Sequence, residues 1–121
     1  MHKNELVHRD IKCENLLITT EGTLKVADFG FARHFTDEDL SQTFCGSTAY
    51  TAPEVLKASG GYNAFLADTW SCGIILFILL TGSMPFNKSN LHSIIKSKTV
   101  SGRFLISTFN RFYAIFLLTE G

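Results

Sequence analysis

The sequence predicts an α+β fold, mainly helical with one small β-hairpin, and three observations carry that reading. Leu16-Leu17-Ile18 and Leu24-Lys25-Val26 flank a Thr19-Thr20-Glu21-Gly22 turn, the pattern of two short strands around a tight connection. Ala64 to Leu80 is apolar nearly all round, which predicts a helix buried in a core. At 121 residues and 13.5 kDa the chain is at most one modest domain.

Taken in order, a polar loop from His8 to Asn15 leads into the first strand, and Asp28 follows the second. Phe31 to Thr51 shows no sustained apolar period and is rich in charged and hydroxyl residues. Irregular segments of that length are uncommon in compact domains and usually functional. Thr51-Ala52-Pro53-Glu54 is a helix start, with Pro in the first turn where its missing N–H costs nothing. Gly60-Gly61 breaks that helix, and Gly82 and Pro85 end the long apolar one. A further helix is expected over Asn90 to Lys98, with Leu91, Ile94 and Ile95 on one face. Its Lys96 and Lys98 suit the negative end of the helix dipole. No internal repeat or low-complexity tract is present.

Composition narrows the function classes. Eleven basic and eleven acidic residues cancel, so no basic field points to nucleic acid or an anionic membrane. Three cysteines without metal-type spacing speak against a disulfide framework and a zinc site. Free thiols in a reducing compartment are expected, and with them a cytoplasmic location. Met1 to Val7 has no signal-peptide apolar core. Ile74 to Leu80 is too short to span a bilayer, and Asn110 and Arg111 interrupt the apolar stretch Phe104 to Leu118. A membrane anchor is disfavoured.

The chemistry concentrates in His8-Arg9-Asp10-Ile11-Lys12-Cys13-Glu14-Asn15-Leu16-Leu17, which sets a carboxylate, an ammonium and an amide on one loop. A second carboxylate stands in Asp28-Phe29-Gly30, and Ala52-Pro53-Glu54 follows. In this order the three runs resemble the catalytic-loop, metal-binding and activation-segment signatures of protein kinases. The resemblance covers about Met1 to Phe104 and implies a partial kinase domain over 1–104, with a divergent apolar tail over 105–121. It implies the start of a C-lobe, with the hairpin at the active site and no N-lobe in the chain. Lys12 after the catalytic Asp implies the serine/threonine branch. Asp28-Phe29-Gly30-Phe31-Ala32, Thr43-Phe44-Cys45-Gly46-Ser47 and Gly82-Ser83-Met84-Pro85-Phe86 more narrowly resemble the testis-specific serine kinases.

The roles follow from the resemblance, position by position. The implied reaction is phosphoryl transfer from ATP to a Ser or Thr of a protein substrate. Asp10 is the expected proton acceptor, and Lys12 the contact to the transferring phosphate. Asn15 and Asp28 offer hard oxygen ligands that suit Mg²⁺. Gly30 leaves the backbone free beside that ligand. Thr43 is the expected activation-segment phosphosite, with Arg9 and Arg33 to pair its phosphate. Ser41 and Thr36 are weaker candidates. Ser47 matches the position that ties the substrate platform to the catalytic Asp and Lys, although Thr48 departs from the Pro often found next. Glu14 either pairs with a substrate arginine or is a solvated carboxylate. His8 is expected to pack on Phe29. Asp68, in Asp68-Thr69-Trp70-Ser71-Cys72-Gly73, matches an acid that clamps the catalytic-loop backbone. Cys13 and Cys45 flank the centre, where ordinary packing is favoured over redox sensing.

The chain also departs from the family pattern. It contains no Gly-rich phosphate loop, no Val-Ala-Ile-Lys strand and no helix carrying the matching Glu, and kinases need that Lys–Glu pair. Met1-His2-Lys3 resembles the end of the helix before the catalytic loop. Glu54 normally pairs with a late arginine, and Arg103 and Arg111 do not stand in that context. The expectation is therefore negligible activity for the isolated chain. A non-catalytic interaction fragment, docking through Tyr50 to Lys57 and the Asn90 to Lys98 helix, is one alternative; a partial gene model is another. Ile74 to Leu80 are expected at a lobe centre, each worth roughly 1.5–3 kcal/mol when buried. Losing half of those contacts would cost about 5–10 kcal/mol, against a domain stability of about 5–15 kcal/mol.

Overall fold

The structure, a computed structural model, describes residues 1–36, 41–42, 45–57, 60–86, 93, 95 and 96. A single 3-10 turn over His2–Asn4 ends at Glu5 in the left-handed region (φ 57°) and hands the chain to β1 (Leu6–Val7). A second such turn, Cys13–Asn15, leads straight into β2 (Leu16–Ile18). β2 pairs antiparallel with β3 (Leu24–Val26), placing Leu16 opposite Val26 and Ile18 opposite Leu24. Gly22 adopts φ 80° in the connection, a conformation that costs glycine little. The hairpin stands where the two short runs and the turn residues put it.

The segment expected to be irregular after Phe31 contains β4 (Arg33–His34), which pairs antiparallel with β1. Two-residue strands carry no readable period, so tertiary pairing alone makes them. Further on, Ser41 and Tyr62 exchange backbone hydrogen bonds of 2.9 and 3.0 Å. Helix α1 (Pro53–Leu56) begins with Pro in its first turn, as the sequence predicts, and Gly60 and Gly61 follow it with positive φ. Helix α2 (Ala64–Thr81) is capped at one end by Asn63, whose side-chain oxygen accepts from the Leu66 amide at 3.1 Å. Gly82 ends it with φ 71°, its N–H donating to Ile78 O at 2.8 Å. Of the helix expected over 90–98, Ser93, Ile95 and Lys96 are described, and all three are helical. Leu91, Ile94 and Lys98 lie outside the described residues, as does the tail 105–121.

Two buried clusters flank α2. One gathers Ile11, Tyr50, Ile74, Ile75 and Phe86; the other gathers Val7, Ala52, Val55, Tyr62 and Ala64. Trp70 packs on both and stacks on Phe86, with ring centroids 6.1 Å apart.

The expectation of a helix buried all round is corrected here. Ala64, Asp68, Ser71, Ile74 and Ile75 are buried, a single stripe at helical spacing, whereas Leu66 and Leu79 are 63% and 72% exposed. Leu76 and Leu80 are also exposed, so two of the seven residues from Ile74 to Leu80 are buried. The loop 8–15 and the segment 45–57 pack along that one stripe. Apolar composition shows that a helix can be buried on any side, and the packing partners decide which. By length and composition α2 also meets the requirements of a membrane span, at 18 residues and mean hydropathy 1.9. Its buried Asp68 is instead spent on the backbone of the same domain, which marks α2 as the core helix.

Candidate functional site

The site is built outward from Asp68. Its carboxylate lies on the buried stripe of α2 and is 2% exposed. One oxygen accepts the His8 amide at 2.8 Å and the other the Arg9 amide at 2.9 Å. His2 Nε2 adds a contact of 3.1 Å, with its ring set edge-on to Phe65. These bonds hold Arg9 at φ 68°, a region that L-residues seldom occupy. The loop therefore has a backbone that its own sequence would not favour, and α2 supplies what holds it.

That backbone turns Asp10 inward, where it is 6% exposed. Asn15 Nδ2 donates to the Asp10 carbonyl at 2.9 Å and approaches its Oδ2 at 3.4 Å. Lys12 Nζ forms an ion pair with the same Oδ2 at 3.2 Å and donates to Ser47 Oγ at 3.3 Å. The other carboxylate oxygen, Oδ1, is buried with no hydrogen-bond partner among the described residues. Buried acceptors of this kind are costly and uncommon, and functional sites are one place they persist. Asp10, Lys12, Asn15 and Ser47, four residues singled out in the sequence, are thus brought together.

His8 connects this carboxylate to the next. The Asp10 amide donates to His8 Nδ1 at 3.2 Å, which leaves the ring proton on Nε2 to donate to the Ala27 carbonyl at 2.9 Å. The two partners together assign the tautomer. Ala27 precedes Asp28, and its amide donates to the Asn15 carbonyl at 2.8 Å. The His8 ring also meets Phe29 edge-on at 4.9 Å, the packing expected from the sequence.

Asp28 is exposed and sits at φ 58°. Its Oδ1 accepts the Gly30 amide at 3.2 Å, and a Cβ on Gly30 would lie 3.2 Å from that same oxygen. Among the described residues no group of three His, Cys, Asp or Glu side chains gathers as a metal site. Mg²⁺ seldom needs one, because it takes one or two carboxylates and fills its shell with water and phosphate oxygens. An exposed Asp28 carboxylate, with the amide oxygen of an Asn15 whose nitrogen is already occupied, fits that donor chemistry.

Other expected residues fall further out. Arg9 turns its guanidinium toward the Phe31 carbonyl (2.7 Å) and Ser41 Oγ (3.5 Å), above the Phe35 ring at 5.8 Å. Arg33 is exposed on β4, and Glu14 is exposed on its 3-10 turn. Thr43 lies outside the described residues, and so does its pairing with Arg9 and Arg33. Glu54 is exposed and forms no ion pair among the described residues; Arg103 and Arg111 lie outside them. Burial pushes the Cys45 thiol up, against a smaller opposing pull from Arg9, which favours the packing role. The sequence reading missed His2 as a donor to Asp68 and gave Gly46 no role of its own.

Comparison with known proteins follows the same lines. The family model described as the protein kinase domain matches residues 1–113. CBL-interacting protein kinase 32 of Oryza sativa subsp. japonica is 45% identical over 122 residues, covering 98% of this chain and 27% of the relative. CBL-interacting serine/threonine-protein kinase 1 of Arabidopsis thaliana is 44% identical over 104 residues, covering 84% and 23%. Testis-specific serine/threonine-protein kinase 1 of Mus musculus is 45% identical over 100 residues, covering 78% and 27%. The chain spans about a quarter of the length of these relatives, and plant and testis-specific kinases match it at similar identity.

Proposed function

The chain belongs to the protein kinase domain family, and from that membership we propose that it is C-lobe sequence of a serine/threonine kinase acting on proteins. The observation that carries this reading is the state of Asp10. One carboxylate oxygen is held by Lys12 and Asn15, and the other is buried and unpaired among the described residues.

In this reading Asp10 Oδ1 accepts the proton of a Ser or Thr hydroxyl as that oxygen attacks the terminal phosphorus of ATP, and ADP leaves. General-base assistance of this kind contributes roughly 10²–10⁴-fold. Lys12 holds Asp10 Oδ2 by charge and presents its ammonium to the transferring phosphoryl group. Asn15 braces the Asp10 carbonyl through its amide nitrogen and keeps its oxygen for a cation. Asp28 is the second cation ligand, its carboxylate steadied by the Gly30 amide. Mg²⁺, when bound by these two residues, neutralises phosphate charge. His8 keeps the two acids in register through its paired nitrogens. Ser47, bonded to Lys12, anchors the segment on which a protein substrate would lie. Thr43 is the activating phosphosite, with Arg9 and Arg33 as its partners. The three cysteines are free thiols, which supports a reducing, cytoplasmic setting.

The rival reading, a non-catalytic docking fragment, has no observation of its own. It would not require the carboxylate, ammonium and amide to keep their geometry. The test is Asp10→Asn in the natural full-length polypeptide containing this chain, assayed with labelled ATP and Ser/Thr peptides. Transfer should fall at least about 100-fold with ATP binding retained. Undiminished transfer by the variant would overturn the assignment.

A further inference from the structure

We infer that Gly46 is a positioning residue for Asp10, and that the seating of the base depends on the lack of a side chain there; this rests on the function proposed above. Gly46 has φ +97°, and a Cβ built on it would fall 2.7 Å from the Arg9 carbonyl oxygen. It would also lie 3.3 Å from Asp10 Oδ1 and 3.7 Å from Asp10 Cα. The first distance is shorter than real contacts allow, and both partners belong to the loop that carries the base. The Arg9 carbonyl cannot retreat easily, because the Arg9 amide is bound to Asp68 and the residue is held at φ 68°. The neighbouring Cys45 thiol lies 4.0 Å from the same carbonyl, so the segment runs against the loop over two successive residues.

Asp10 Oδ1 is the oxygen that has no partner among the described residues, and Gly46 borders it. A methyl group at position 46 would press on the Arg9 carbonyl and crowd the one oxygen left for an acceptor hydroxyl. The atoms nearest a Cβ at Gly46 belong to Arg9 and Asp10, whereas the phosphate and cation contacts are assigned to Lys12, Asn15 and Asp28, so nucleotide binding should not feel the change. Gly22 provides the matched control. It has φ +80°, and a Cβ there would meet nothing within 4 Å. Alanine at Gly22 therefore imposes similar backbone strain without the collision.

The experiment compares Gly46→Ala, Gly22→Ala and Asp10→Asn in the natural full-length polypeptide containing this chain. It measures kcat per ATP-binding site, KM for ATP and the melting temperature. Gly46→Ala is expected to lower kcat per site roughly 10- to 100-fold with KM for ATP unchanged, because displacements near 1 Å cost about that much. Gly22→Ala should stay within about twofold of the parent by the same criterion. Normalising to bound ATP removes molecules that fail to fold. A Gly46→Ala enzyme within about twofold of the parent, equal losses in both alanine variants, or loss of ATP binding in Gly46→Ala would each overturn the inference. Full activity in Asp10→Asn would instead remove the function beneath it.

Discussion

Replacing Asp68 by Asn tests the clamp on which the whole site hangs. The carboxylate gives one oxygen to the His8 amide at 2.8 Å and one to the Arg9 amide at 2.9 Å, inside a residue that is 2% exposed. An amide side chain of the same shape keeps one acceptor and turns an NH₂ group toward the other backbone N–H. One charge-assisted bond is lost, and a buried donor is left facing another donor. Each of those effects is worth about 1–2 kcal/mol, so the loop should be loosened by about 2–4 kcal/mol. At about 1.4 kcal/mol per factor of ten, exchange of the His8 and Arg9 amides should accelerate roughly 30- to 1,000-fold. The assay is native-state hydrogen exchange read residue by residue, with the Ile74 and Ile75 amides of α2 as the internal standard for global opening. Unchanged protection at His8 and Arg9, in a variant whose α2 amides also hold, would refute the claim that Asp68 sustains the loop.

Two further outcomes follow from the same geometry. His8→Phe keeps a ring against Phe29 but leaves the buried Asp10 amide and the Ala27 carbonyl without their partner. Urea unfolding should show a loss of about 2–4 kcal/mol, and a change below about 0.5 kcal/mol would mean that packing alone matters there. Tyr50 is buried, and that burial, with a further contribution from the Cys13 thiol, pushes its phenol up to about 12. The folded pKa therefore exceeds the unfolded value near 10, and the neutral phenol's contribution to stability is complete below about pH 10. It is lost as pH rises from about 10 to 12, so tyrosinate absorbance and unfolding should rise together in that window, and Tyr50→Phe should remove this component.

Much of the local architecture was readable because each signal had one physical meaning. The hairpin followed from two short strand-like runs around a Gly-containing turn, and the start of α1 and the end of α2 from Pro53 and Gly82. The two-residue pairing of β1 with β4 was not readable, since neither strand is long enough to show a period. Nor were the left-handed conformations of Glu5, Arg9 and Asp28, where local preference favours glycine and distant contacts decide instead. The face that α2 buries was hidden because Leu and Ile occur on all its sides. Asp10, Lys12, Asn15, Ser47, His8 and Asp68 were picked out by their resemblance to a family pattern, and the structure brings them into direct contact. What no pattern of letters contained was the direction of each bond: His8 as acceptor from Asp10 and donor to Ala27, or Gly46 as the space beside Oδ1.

The bond between Asp68 and the His8 amide joins positions 60 residues apart. On a ribosome adding about 5–20 residues per second, the loop carrying Asp10 leaves the peptidyl-transferase centre roughly 3–12 s before its anchor is even polymerised. Throughout that interval Arg9 has nothing to hold its backbone in the left-handed region, and Asp10 has no fixed orientation. Helix α2 must then form and carry Asp68 back to a segment made long before. The loop carrying Asp10 is synthesised well before Asp68, and it cannot take the shape described here until that anchor arrives.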